Sequence, residues 1–72
     1  AQEVPEAQLI LADCYLRGRG VPEDFVLAYV WFNRASSHGL DIAEKNKRHT
    51  ARCMTPDQIA QAQEISRTHL AA

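Results

Sequence analysis

The sequence predicts an all-α fold of four helices, arranged as two helical hairpins. Apolar residues recur at helical spacing through residues 28–35, a stretch that holds the single tryptophan of the chain. Acidic residues gather where helices should begin and arginines where they should end, which complements the helix dipole. We therefore expect helices near residues 5–17, 24–37, 41–53 and 56–70, organised around the second one.

Capping signals agree with these helix bounds. Thr55 with Gln58 has the spacing of a capping box, and Asp41 with Glu44 is a second candidate. Gly39 suits a left-handed terminator of the second helix. Three prolines suit the first turn of a helix, where a missing N–H costs nothing: Pro5, Pro22 and Pro56.

The first helix is apolar on nearly opposite sides. One side holds Ala7, Leu11 and Tyr15, with Ile10 and Cys14 beside them, and the other holds Leu9, Ala12 and Leu16. The glycine hinge at residues 18–20 allows a sharp reversal, so the second helix can cover one side. The side of Leu9 and Leu16 then needs another cover, which could be an upstream repeat, a second copy of the chain or the Val4 segment.

The second half of the chain is a degenerate echo of the first. Pro22 and Pro56, Phe25 and Ile59, and Ala28 and Ala62 are each 34 residues apart. The glycine hinge has no counterpart in the second half. An atypical unit of this kind is typical of the end of a repeat array.

The first half also carries many residues at fixed spacings: Ala7, Leu11, Ala12, Tyr15, Gly18, Gly20, Val21, Asp24, Ala28, Trp31, Ala35 and Gly39. This pattern resembles the Sel-one-like repeat, a bacterial and eukaryotic relative of the tetratricopeptide repeat. Ala12 replaces the usual glycine, and Ser36 replaces a usual small residue. The resemblance implies a right-handed superhelix of helical hairpins, with residues 1–39 as one repeat and its lead-in and residues 40–72 as a degenerate C-terminal capping hairpin.

The resemblance implies a non-enzymatic scaffold or adaptor, whose partner is another protein or further repeats of the same chain. Leu9 and Leu16 would be apolar anchors if exposed, and they also suggest a homodimer as an alternative. In a repeat stack the first and third helices are parallel neighbours, so Cys14 and Cys53 could form a disulfide. Two independent thiols are the other interpretation.

A basic stripe on the third helix offers an electrostatic alternative. Lys45, Arg48, His49 and Arg52 share one helical face, with Lys47 beside them. This stripe could steer an acidic partner, and a solvated face with Glu44 pairing Arg48 is the other interpretation. The net charge of −1 and the absence of interleaved aromatic residues argue against nucleic acid.

The sequence favours no catalytic, metal or cofactor site. His38, His49 and His69 lack the spacing of metal ligands, and a Cys53–His49 pair lacks an orienting third residue. No apolar run is long enough to span a membrane, so no membrane partner is expected. The start Ala1-Gln2-Glu3 would suit an exported chain, such as a bacterial periplasmic one.

Overall fold

The computed structural model describes residues 4–71, with side chains described for residues 4–68. Residues 1–3, on which the predicted exported start depends, and the side chain of His69 lie outside this part. All regular structure described is helical: α1 (Pro5–Arg17), α2 (Phe25–Ser37), α3 (Asp41–Arg52) and α4 (Pro56–Ala71). The predicted all-α class is confirmed, and the predicted helix bounds differ from these by at most one residue. None of the described helices is both long and apolar enough to cross a bilayer.

The first hairpin turns at the glycine hinge. Gly18 ends α1 in the left-handed region at φ 67°, where a side chain would be strained. The N–H of Arg19 donates to the Cys14 carbonyl at 2.9 Å, and that of Asp24 donates to the Tyr15 carbonyl at the same distance. These bonds return the chain to α1, so α2 starts beside the end of α1.

Two of the other helix starts use the predicted residues. The Thr55 N–H donates to Gln58 Oε1 at 2.9 Å, and the Gln58 N–H donates to Thr55 Oγ1 at 3.1 Å. This reciprocal pair is the predicted capping box of α4. Pro5 lies in the first turn of α1, as predicted.

Two capping predictions are wrong. The second capping box is absent, because Leu40 is the N-cap of α3 and makes no side-chain cap bond. Pro22 lies before α2 rather than in its first turn, since Asp24 is the N-cap and accepts from the Leu27 N–H at 3.1 Å. Gly39, with φ 98°, ends the second helix in the expected left-handed conformation.

The helix α2 is the centre of the fold, because each of the other helices packs along it. Its two faces belong to two buried clusters. The first cluster lies between α1 and α2 and contains Ala12, Ala28 and Phe32, with Leu9, Tyr15, Leu16 and Trp31 packed against it. The second cluster joins α2, α3 and α4 and contains Tyr29, Val30, Met54 and Ala62, with Phe25, Val26, Ala51, Ile59 and Ile65 around it.

This arrangement corrects the predicted adjacency of the first and third helices. Both α1 and α3 pack along α2 rather than along each other. An α2 that is apolar around most of its circumference can be covered from several sides at once. The central position predicted for residues 28–35 is therefore confirmed, with Phe32 fully buried.

Candidate protein-binding surface

The basic stripe of α3 lies on the outer side of the molecule. Lys45, Arg48, His49 and Arg52 are all exposed. The opposite side of α3 is anchored by Ala43 and Thr50, both of which are fully buried. The Thr50 hydroxyl donates to the Asn46 carbonyl at 2.8 Å, so it needs no partner in the core. The stripe is therefore carried by a helix whose inner face fixes its orientation.

Glu44 neutralises one end of this stripe. Its carboxylate accepts from Ser36 Oγ at 2.7 Å, from Arg48 Nε at 3.3 Å and lies 3.1 Å from Lys47 Nζ. The hydrogen bond from Ser36 is the main cause that lowers the pKa of Glu44, and the bond from Lys47 adds to it. The Glu44–Arg48 pair of the sequence analysis is thus present. Within residues 4–68, neither Lys45 nor Arg52 has an ion-pair partner, so these two cations stay available.

The prediction that Leu9 and Leu16 need a further cover is wrong. Both are half-buried and pack against the first cluster. The exposed aliphatic residue of α1 is instead Ile10, whose exposed fraction is 65%. The helix is therefore rotated so that Leu9, Leu16 and Tyr15 face α2, whereas Ile10 faces outward.

The two cysteines are not joined, which corrects the disulfide interpretation. Cys14 and Cys53 are both free thiols. Their helices both pack along α2 and not along each other, so the parallel adjacency on which the pairing depended is absent. The Cys53 Sγ instead donates to the His49 carbonyl oxygen at 3.8 Å, a bond within its own helix end that leaves the imidazole uninvolved.

No metal-binding constellation occurs in the part of the chain that the structure describes, where no three His, Cys, Asp or Glu side chains converge. His38 lies at the C-cap of α2, a position that suits a cation near the helix dipole.

The structure also contains a cleft that the sequence did not predict. It has a volume of about 370 Å³ and lies between α2, α3 and α4. The lining residues are Tyr29, Asn33, Lys47, Gln63, Ser66 and Arg67. They come from three helices, so no spacing along the chain could have brought them together. The one signal of this cleft in the sequence was Lys47, because the helical period places it on a different side of the third helix from the basic stripe.

Lys47 is the most constrained cation of this cleft. Its Nζ donates to Asn33 Oδ1 at 3.1 Å and lies 3.1 Å from a Glu44 oxygen. The same ammonium lies 6.0 Å from the centre of the Tyr29 ring, within reach of a cation–π contact. Its side chain is only 19% exposed, so these contacts hold it at one place on the cleft wall.

Comparison with protein families now identifies the architecture. The model of the Sel1 repeat matches residues 5–40, which span α1, the hinge and α2 and reach the glycine turn before α3. The chain belongs to the Sel1 repeat family. This confirms the resemblance drawn from the sequence. Comparisons with curated proteins and with solved structures found no match.

The Sel1 repeat is a non-catalytic, tetratricopeptide-like helical hairpin that mediates protein–protein interaction. The residues that carry the family pattern in this Sel1 repeat are structural: Ala12, Ala28 and Ala35 are fully buried where helices approach closely. Gly18 supplies the left-handed C-cap. The candidate surfaces described above lie largely outside these positions, on α3 and α4.

Proposed function

We propose that this Sel1 repeat chain is a non-enzymatic adaptor that presents a rigid helical surface to an acidic partner protein. The observation that carries the proposal is the outward basic stripe of α3. Lys45 and Arg52 are exposed and have no ion-pair partner within residues 4–68, while Ala43 and Thr50 hold the other side of the helix. A preformed surface of this kind binds by shape and charge complementarity without a covalent step.

The apolar component of such a surface lies at the start of the same helix. Ile42 is 48% exposed and lies three residues before Lys45 and seven before His49, which is the spacing of one helical face. An exposed aliphatic side chain beside cations favours a partner with both acidic and apolar residues.

We further propose that residues 1–39 act as the repeat and residues 40–72 as its capping hairpin. The outward residues of α4 support this division, because Gln61, Glu64 and Thr68 are all exposed and polar. A polar outer face is what a terminal unit of a helical stack needs for solubility. Self-association through Leu9 and Leu16 has less support, since both leucines already pack against the first cluster.

A peptide-display selection with the full chain as bait tests the proposed adaptor role. The variant of interest is Lys45→Glu/Arg52→Glu, and the control is Arg17→Glu/Arg19→Glu, which makes the same charge change at the end of α1 and in the glycine hinge. We expect acidic peptides that bind the unchanged chain and the control variant but lose at least tenfold in affinity for the α3 variant. Their affinity should also fall between low and moderate salt, as exposed charge pairs are screened.

Two results would contradict the proposal. Recovery of no specific peptide would remove the adaptor role, because a preformed surface should select at least weak ligands. Equal loss of affinity in both double variants would show that net charge, rather than the α3 surface, attracts the peptides.

A further inference from the structure

We infer that the cleft between α2, α3 and α4 is a binding site for a carboxylate group of a partner peptide. This inference rests on the proposed protein-binding role and names a second, distinct surface for it. The cleft, of about 370 Å³, has room for one side chain or one chain end. Its wall is built from hydrogen-bond donors, and it lies on the side of α3 away from the basic stripe.

The deepest residue of the cleft has an unused hydroxyl. Ser66 is 4% exposed, the most buried of the lining residues. Its Oγ has no hydrogen-bond partner among the described residues. Serine in a helix can bond back to a carbonyl of the preceding turn, as Thr68 does to Glu64. Because Ser66 does not, its hydroxyl remains a donor for a group that enters the cleft.

Two further donors lie on the facing wall. The Lys47 ammonium has three protons, of which two are used by Asn33 and Glu44. Asn33 accepts from Lys47 through Oδ1, which directs its amide group so that the two N–H donors remain unused within the described part. Lysine and asparagine therefore hold each other in place while each keeps a donor for a ligand.

The charge of the residues that line the cleft favours a ligand with a single negative charge. Arg67 adds a second cation at the rim, and no acidic side chain is among the lining residues. Both cations are already partly neutralised from outside the cleft, Lys47 by Glu44 and Arg67 by Glu64. The remaining positive charge is small, which suits a carboxylate better than a doubly charged phosphate.

The test is an amide chemical-shift titration of the isotope-labelled full chain with three capped tripeptides. One carries a central glutamate and an amidated end, one is trialanine with a free C-terminal carboxylate, and one carries a central glutamine and an amidated end. We expect saturable shifts at Asn33, Gln63 and Ser66, with a dissociation constant on the order of 1 mM, for at least one of the two carboxylate peptides. The one that binds more tightly identifies the source of the carboxylate, a side chain or a chain end.

Variants separate a binding site from a structural contact. Lys47→Gln should weaken carboxylate binding at least tenfold, since it removes a charge-assisted hydrogen bond. Lys45→Gln makes the same change two residues away on the outer face and should alter the affinity less than twofold. Ser66→Ala should weaken binding severalfold while leaving the urea midpoint unchanged or higher, because it removes a buried hydroxyl without a partner.

Equal shifts with the glutamine peptide, or equal losses for Lys47→Gln and Lys45→Gln, would overturn the inference. The adaptor proposal would survive that result if the display-selected peptides still bound the chain. If the chain bound neither the carboxylate tripeptides nor the display-selected peptides, the adaptor proposal would be contradicted as well.

Discussion

The rotation of α1 can be tested by comparing two matched truncations. Leu16→Ala removes an aliphatic side chain that is half-buried against the first cluster. Complete burial makes such a truncation cost about 2–5 kcal/mol, so a half-buried leucine should cost about 1–2 kcal/mol of unfolding free energy. A chain of this size has about 4–11 kcal/mol in total, so the variant should still fold.

Ile10→Ala is the matched control, because it removes the same number of carbon atoms from the same helix. Its side chain is 65% exposed, so the change in unfolding free energy should stay within about 0.5 kcal/mol. Urea unfolding followed by circular dichroism at 222 nm measures both. With a urea slope of about 1 kcal/mol per molar, the midpoint should fall by about 1–2 M for Leu16→Ala and hardly change for Ile10→Ala.

The opposite order of midpoints would contradict this orientation of α1. If Ile10→Ala lowered the midpoint more than Leu16→Ala, α1 would bury the side that carries Ile10, as the sequence alone also allowed. Equal and small effects would mean that neither side of α1 is held firmly against α2.

Three further predictions concern local features of the fold. Thr55→Ala should cost about 1 kcal/mol of unfolding free energy by urea titration, because Gln58 loses its cap acceptor. Gly18→Ala should cost about 1–2 kcal/mol in the same assay, since its φ of 67° is strained for a side chain. A carboxyl NMR titration should give Glu44 a pKa below its ordinary 4.5, and Ser36→Ala should raise it. Because the folded pKa is the lower one, the stabilisation by Glu44 is complete above its unfolded pKa and is lost as pH falls through the folded pKa.

Much of the fold could be predicted from the sequence because local chemistry determines the helix ends. Gly18, Gly39 and the Thr55–Gln58 box each act within a few residues, so their spacing along the chain is sufficient. The failed capping box shows the limit of this reasoning. The Glu44 carboxylate is occupied by Ser36, a residue from the preceding helix whose approach depends on packing.

Which face of α1 is buried could not be predicted, for a physical reason. Leu9 and Leu16 lie on one side of the helix, and Ile10 and Leu11 lie on the other. The two sides are therefore nearly equally hydrophobic, so the pattern does not favour the burial of either one. In the structure the leucines, with Tyr15, pack against the cluster that contains the fully buried Phe32. Shape complementarity of this kind is a property of the packed pair, and neither helix carries it alone.

The two candidate surfaces differ for a reason that the helical period explains. Lys45 and Lys47 are only two residues apart, yet at 3.6 residues per turn they point about 200° apart around α3. Lys45 is exposed and unpaired within residues 4–68, whereas Lys47 is held between Asn33 and Glu44 against the cleft. A sequence window that counts both lysines as one basic stripe therefore merges an outer surface with an inner one. The same change of lysine to glutamine at the two positions should accordingly have separable effects on acidic partners and on carboxylate groups.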